Sequence, residues 1–192
     1  MAGRRQAKIL THAHLRLSLR KARAGRYPAR DQVLLLLSHK AGLRAAEIAG
    51  LTWPMVLTPD GKLADYIAVA DQIAKGRGGR TIPTHPMLHR ALARLHQQEG
   101  SEGHVIKSER GECLRPSSLV NWFAAFYREL GFEGCTSHSG RRTFITYAAR
   151  RFAKAGGSLR DVQLLAGHAS ITMTQRYIDG DPRAQRRLVS LL

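Results

Sequence analysis

Apolar residues in this chain recur at helical spacing over most of its length and alternate only in one short middle stretch. Thr11 precedes a segment with Leu15 and Leu19 four apart that runs to Gly25 and Pro28, which predicts a first helix. Val33 to Leu37 is an uninterrupted aliphatic run. The second helix is therefore expected to be buried nearly all round, with Asp31 as its cap and Gly42 punctuating its end. Ala45 to Leu51 reads as a short third helix. Trp53-Pro54 and Thr58-Pro-Asp-Gly61 then break the periodicity, and Tyr66, Ile67, Val69, Ile73 and Ile82 supply β-prone pieces of a small antiparallel sheet. Its last hairpin turns through Lys75-Gly-Arg-Gly-Gly-Arg80, whose glycines permit left-handed backbone.

Helical spacing returns from Thr84 to Gln98, with Leu88, Leu92 and Leu95 on one side. Gly100 to Gly111 is a loop with a short strand at Val105-Ile106. Pro116 to Leu130 is amphipathic, its stripe of Val120, Phe123, Phe126, Tyr127 and Leu130 facing a core and Gly131 ending it. Ser158 with Asp161 three residues on is a capping-box signature that opens a helix carrying Leu159, Val162 and Leu165, stopped by Gly167. Ser170 can cap the stretch that follows. Asp181-Pro182 opens a last helix with Leu188, Val189, Leu191 and Leu192. Residues 1–8 are a short, basic lead-in expected to be disordered. There are no internal repeats.

Composition narrows the partner. Of 192 residues, 31 are Lys or Arg and 14 Asp or Glu, a formal charge of +17, and the isoelectric point is near 11.1. The basic residues are spread in clusters along the chain, which suits a folded surface wrapping a polyanion. The two cysteines, Cys113 and Cys135, have no C-x-x-C spacing, which fits a reducing compartment and no structural zinc. No apolar run is long enough to span a bilayer, so no membrane partner is expected and a cytoplasmic location is.

The chemistry-bearing residues cluster between Thr136 and Asp179. A helix beginning at Ser137 would put His138 and Arg141 on one face of its first turn, where free N–H groups and the dipole favour an anion. His168 falls at a helix end, and Tyr177 lies nine residues further on. Upstream, Arg44 and Glu47 are three apart. On local grounds they form a surface ion pair of little net worth, the alternative being that Arg44 points into a site and Glu47 holds it. His85 and His89 have chelating spacing but lack further ligands nearby, so neither metal nor cofactor is expected. Lys75 precedes its glycines rather than following them, so the turn is not a P-loop.

His138-Ser-Gly-Arg141, Leu165-Ala-Gly-His168 and Tyr177, preceded by Ala41-Gly-Leu-Arg44-Ala-Ala-Glu47-Ile48 and Lys75, together resemble the signature of the tyrosine recombinases, the phage integrase family. The box at His138 reads S-G-R-R rather than the commoner leucine-containing form, with its spacing kept. The resemblance implies an α+β fold, mainly helical with a small antiparallel three-stranded sheet. It runs from about Ile9 to the C-terminus and is to the family's catalytic domain alone, taken as residues 9–180, with 181–192 as a C-terminal helix that can dock on a neighbouring subunit, the alternative being docking on its own domain.

That resemblance implies a site-specific recombinase acting on double-stranded DNA through a 3′-phosphotyrosine. Tyr177 is then the nucleophile, Arg44 and Arg141 clamp the phosphate, and His168 hydrogen-bonds a phosphate oxygen. His138 assists the tyrosine, and Lys75 protonates the leaving 5′-oxygen. A tetramer on DNA and association with the nucleoid are implied too. Family members usually carry a further N-terminal DNA-gripping domain, so grip on DNA is expected from the catalytic domain, from an assembly of subunits or from an accessory DNA-binding protein. Two rivals use the same scaffold: relaxation of DNA in the manner of a type IB topoisomerase, and a non-catalytic DNA-binding regulator.

Overall fold

A computed structural model describes residues 7–74, 78–111, 113–177, 186, 189 and 190. The first helix, α1 (His12–Arg23), starts where the Thr11 side chain accepts from the His14 N–H and the His14 ring accepts from the Thr11 N–H, a reciprocal box. α2 (Pro28–Lys40) is the central post. Val33 to Leu37 are at most 3% exposed, and α1 and two later helices, which begin at Pro86 and Ser139, pack around this helix. Asp31 is not its cap. Pro28, with its φ already helical and no N–H to satisfy, takes the first position. Asp31 lies one turn in, buried and paired with Arg30 at 2.9 Å.

α3 (Ala45–Gly50) follows, then a 3-10 turn at Trp53–Met55. The sheet among the described residues has two strands, β1 (Tyr66–Val69) and β2 (Arg80–Pro83), antiparallel with Ile67 opposite Ile82. The third strand shrinks to one bridge, Leu57 with Leu63. The Thr58-to-Lys62 turn closes on itself, Thr58 N donating to Lys62 O at 2.7 Å, which leaves too few residues to form a ladder. Ile73 sits in a turn. Val105 and Ile106 do not form a strand either; both are fully buried in the core, flanked by single bridges at His104 and Lys107.

α4 (Pro86–Glu99) begins after His85, whose ring accepts from the Met87 N–H. α5 (Pro116–Glu129) buries Phe123, Phe126 and Tyr127 as expected, but Leu119 fills the position assigned to Val120, which is 42% exposed. α6 (Ser139–Ala149) starts two residues later than expected, with His138 at its cap position. Gly140 lies against Ser38 of α2, so closely that a Cβ there would collide with it. α7 (Leu159–Ala166) and α8 (Ile171–Gln175) complete the described helices, and Ser158 and Asp161 make the expected box. Ile145, Ala149, Val162 and Ala166 form a second, smaller core, against which Tyr177 packs. Most of the C-terminal helix expected after Asp181 lies outside the described residues. No described helix is long and apolar enough to cross a membrane.

Candidate active site

The close approach of α6 to α2 carries Arg141 into the interior, where it is 5% exposed. Its guanidinium is received by two helix-end carbonyls. Nη1 donates to Gly42 O at 2.6 Å, just beyond α2, and Nη2 donates to Ala166 O at the end of α7. Both acceptors lie where helix dipoles leave negative charge, which suits a cation. Gly42 can present its carbonyl because its backbone is left-handed at φ 64° and Phe144 occupies the space of a side chain. Burial, with Arg44 nearby, lowers the Arg141 pKa to about 9, so the group stays cationic at neutral pH. Two of the five N–H donors of the guanidinium serve these carbonyls, and the rest can serve an anion.

Arg44 is the N-cap residue of α3 and half-buried. Glu47 is completely buried and reaches back to it, accepting from Arg44 N and from Arg44 Nη1, both at 2.8 Å. The same carboxylate takes a two-pronged contact from Arg80 of β2, at 2.8 and 2.9 Å. Burial opposes ionisation of Glu47. The hydrogen bonds from Arg80 and from the Arg44 backbone, with both positive charges, outweigh it and bring its pKa to about 2. The pair that local spacing reads as a surface contact is therefore an interior network.

His168 follows α7 through a left-handed Gly167, its own N–H closing the turn on Gln163 O at 3.1 Å. Its Nδ1 is 2.9 Å from the buried Thr174 Oγ1, which leaves Nε2 as the ring atom able to meet a ligand. If the hydroxyl donates to Nδ1, Nε2 carries the proton and is a hydrogen-bond donor. Burial, then the charges of Arg141, Arg44 and Arg80, depress the His168 pKa to about 4, so the ring is neutral at pH 7. The Tyr177 ring stacks on His168, centroids 5.7 Å apart, and also packs against the small core.

His138, Arg141, His168 and Tyr177 line one open cleft of about 290 Å³, together with Ala7, Arg142, Met173 and Arg176. Arg44 does not line it, but lies close enough to lower the pKa of both Arg141 and His168. Lys75 lies outside the described residues. Two groups were not singled out from the sequence. Arg80 is the second partner of Glu47, 33 residues away, and Arg142 lines the cleft while donating to Ala7 O at 3.1 Å. The extra arginine after Arg141 was the only local sign of the second; nothing local marked the first. No group of three or more His, Cys, Asp or Glu able to hold a metal occurs among the described residues.

Three arginines and two histidines arranged with a tyrosine at one cleft can bind a phosphate and present a hydroxyl to it. The fold and the cleft thus define a mainly helical α+β domain with an open cleft lined by arginines, histidines and a tyrosine. The phage integrase family model matches residues 8–183, and the chain belongs to that family. Among curated proteins it is 30% identical over 162 residues to a tyrosine recombinase XerC of Mesorhizobium japonicum, covering 80% of this chain and 47% of that protein. It is 32% identical over 157 residues to the XerC of Nitrobacter winogradskyi, covering 78% and 45%. The chain thus spans about half the length of these relatives.

Solved structures share the fold at lower identity. The Tn1549 transposon integrase in complex with transposon right end DNA superposes with a TM-score of 0.76 at 19% identity, covering 98% of this chain and 67% of that one. The XerA recombinase gives 0.75 at 21%, covering 97% and 65%.

Proposed function

We propose that this chain is the catalytic domain of a site-specific tyrosine recombinase that cleaves and rejoins DNA strands through Tyr177. The observation that carries the reading is the stacking of Tyr177 on His168 at a cleft that Arg141 also lines, in a chain of the phage integrase family.

In the proposed reaction the Tyr177 oxygen attacks a DNA phosphorus, the P–O bond to the tyrosine forms, and the bond to the 5′-oxygen breaks. The phenol proton passes to His138, and Lys75 gives a proton to the departing 5′-oxygen, which leaves as a hydroxyl. Arg44 and Arg141 meet the charge that develops on the nonbridging oxygens, and His168 donates to one of them through Nε2. The product is a 3′-phosphotyrosine. Because the exchange is one ester for another, a second strand's 5′-hydroxyl can reverse it without ATP. The net charge of +17 supports an extended DNA footprint. Residues 9–180 form the catalytic unit in this reading, and 181–192 dock on a neighbour within a tetramer on DNA. An accessory DNA-binding protein would add grip, and the enzyme would act in the cytoplasm at the nucleoid.

The test is incubation with nicked suicide substrates carrying candidate element ends, followed by a denaturing gel. A protein–DNA band that survives denaturation supports the reading. Its absence on every substrate, despite DNA binding, would favour a non-catalytic DNA-binding protein.

A further inference from the structure

Arg80 lies at the first position of β2, opposite Val69, in a strand anchored by the buried Ile82. Its side chain is 7% exposed and spans two parts of the site that are far apart in sequence. One end takes both oxygens of Glu47, the carboxylate that also holds the Arg44 backbone and guanidinium. The other contact runs from Nε to Leu165 O at 3.1 Å, in the last turn of α7, three residues before His168. The stem lies over Gly167, where an added Cβ would come within 3.0 Å of Arg80 Cδ.

The Glu47 carboxylate can turn about its last torsion, a soft motion. A fork of two parallel N–H groups on its two oxygens removes that freedom, and Arg44, bonded to the same oxygens, is aimed with it. A lysine could supply the charge of Arg80 but not the fork, nor a third donor held in the same plane for Leu165 O.

We infer that Arg80 is a positioning residue, fixing Arg44 and the turn that carries His168 in one relative geometry so that Arg44 meets charge on the substrate phosphate. The inference rests on the recombinase reading proposed above. It assigns Arg80 no contact with DNA. Its effect passes through Glu47 to Arg44 and through Leu165 to the His168 turn.

The experiment compares rates of covalent complex formation for the natural protein, Arg80→Gln and Arg80→Lys on two substrates. One has a normal scissile phosphate, and the other a methylphosphonate, in which a methyl group replaces one nonbridging oxygen and removes its charge. Both replacements can still donate to Glu47, and thermal melting establishes that each variant is folded at the assay temperature. Arg80→Gln is expected to slow the phosphate reaction about 100-fold, the scale of losing one preorganised contact to a developing oxyanion. The slowing should be at least about tenfold smaller on the methylphosphonate, which needs no arginine to neutralise it. Arg80→Lys should behave like Arg80→Gln, because the geometry is lost although the charge is kept. Equal slowing on the two substrates would reduce Arg80 to a stabilising residue and overturn the inference, as would Arg80→Lys at the natural rate. Should Arg80→Gln fail to fold, Arg80→Lys carries the same comparison. No covalent complex from the natural protein on the phosphate substrate would instead overturn the recombinase reading, and this inference with it.

Discussion

Replacing Glu47 by Gln keeps the shape of the side chain and removes the one negative charge between Arg44 and Arg80. Because Glu47 is fully buried, little solvent can make up the loss. Its pKa lies at about 2 against an ordinary 4.5. At about 1.4 kcal/mol per tenfold change in proton affinity, that difference is worth roughly 3 kcal/mol of stability at neutral pH. Breaking a buried pair by removing one partner costs about 3–5 kcal/mol, the same scale. The sign follows from the direction of the shift. A lowered carboxylate pKa stabilises the fold in full above about 4.5, and the contribution is lost as pH falls from there towards 2. Urea titrations from pH 7 to pH 3 should therefore show the natural protein about 3 kcal/mol more stable than Glu47→Gln at pH 7, with the gap closing on the acid side. In thermal melts a loss of that size is a fall of about 6–12 °C. Exposed carboxylates such as Asp60 and Asp161 contribute alike to both proteins and cancel in the difference. A gap below about 1 kcal/mol, or one that does not change with pH, would refute the buried network.

Two further outcomes follow from the chemistry and the charge. Lys75→Ala should slow cleavage of a normal 5′-oxygen far more than cleavage of a substrate with a 5′-sulfur leaving group, which needs no proton; equal slowing in single-turnover assays would remove Lys75 as the acid. DNA affinity measured by anisotropy should fall steeply with salt, with a log–log slope steeper than about −3, and a shallower slope would contradict an extended basic footprint.

What could be read from the sequence was whatever is carried by short spacing. Ser158 and Asp161 form their box, Gly167 ends α7 in left-handed backbone, and Val33 to Leu37 form a helix core. Four of the six residues picked from the motifs line one cleft: His138, Arg141, His168 and Tyr177. Arg44 stands beside it. What was hidden depended on distant partners. Glu47 looked like half of an exposed pair, because the Arg80 that helps bury it arrives from another element 33 residues on. Arg80 itself looked like one more basic turn residue, since its second partner, Leu165, is 85 residues away. Competition between neighbouring signals misled in smaller ways. Pro28 outranked Asp31 at the start of α2, and Leu119 took the inward position that the stripe had given to Val120.

The central claim is that Tyr177 becomes covalently joined to DNA, and the most direct test is to find the bond. Covalent complex trapped on a suicide substrate would be digested with protease and nuclease, and the nucleotide-bearing peptide identified by mass spectrometry. The expected result is a single modified peptide with the nucleotide on Tyr177 through a 3′-phosphate, and no adduct from Tyr177→Phe, which removes one oxygen and no charge and should bind DNA as the natural protein does. A nucleotide on any other residue, a 5′-phosphate linkage, or an adduct persisting in Tyr177→Phe would contradict it.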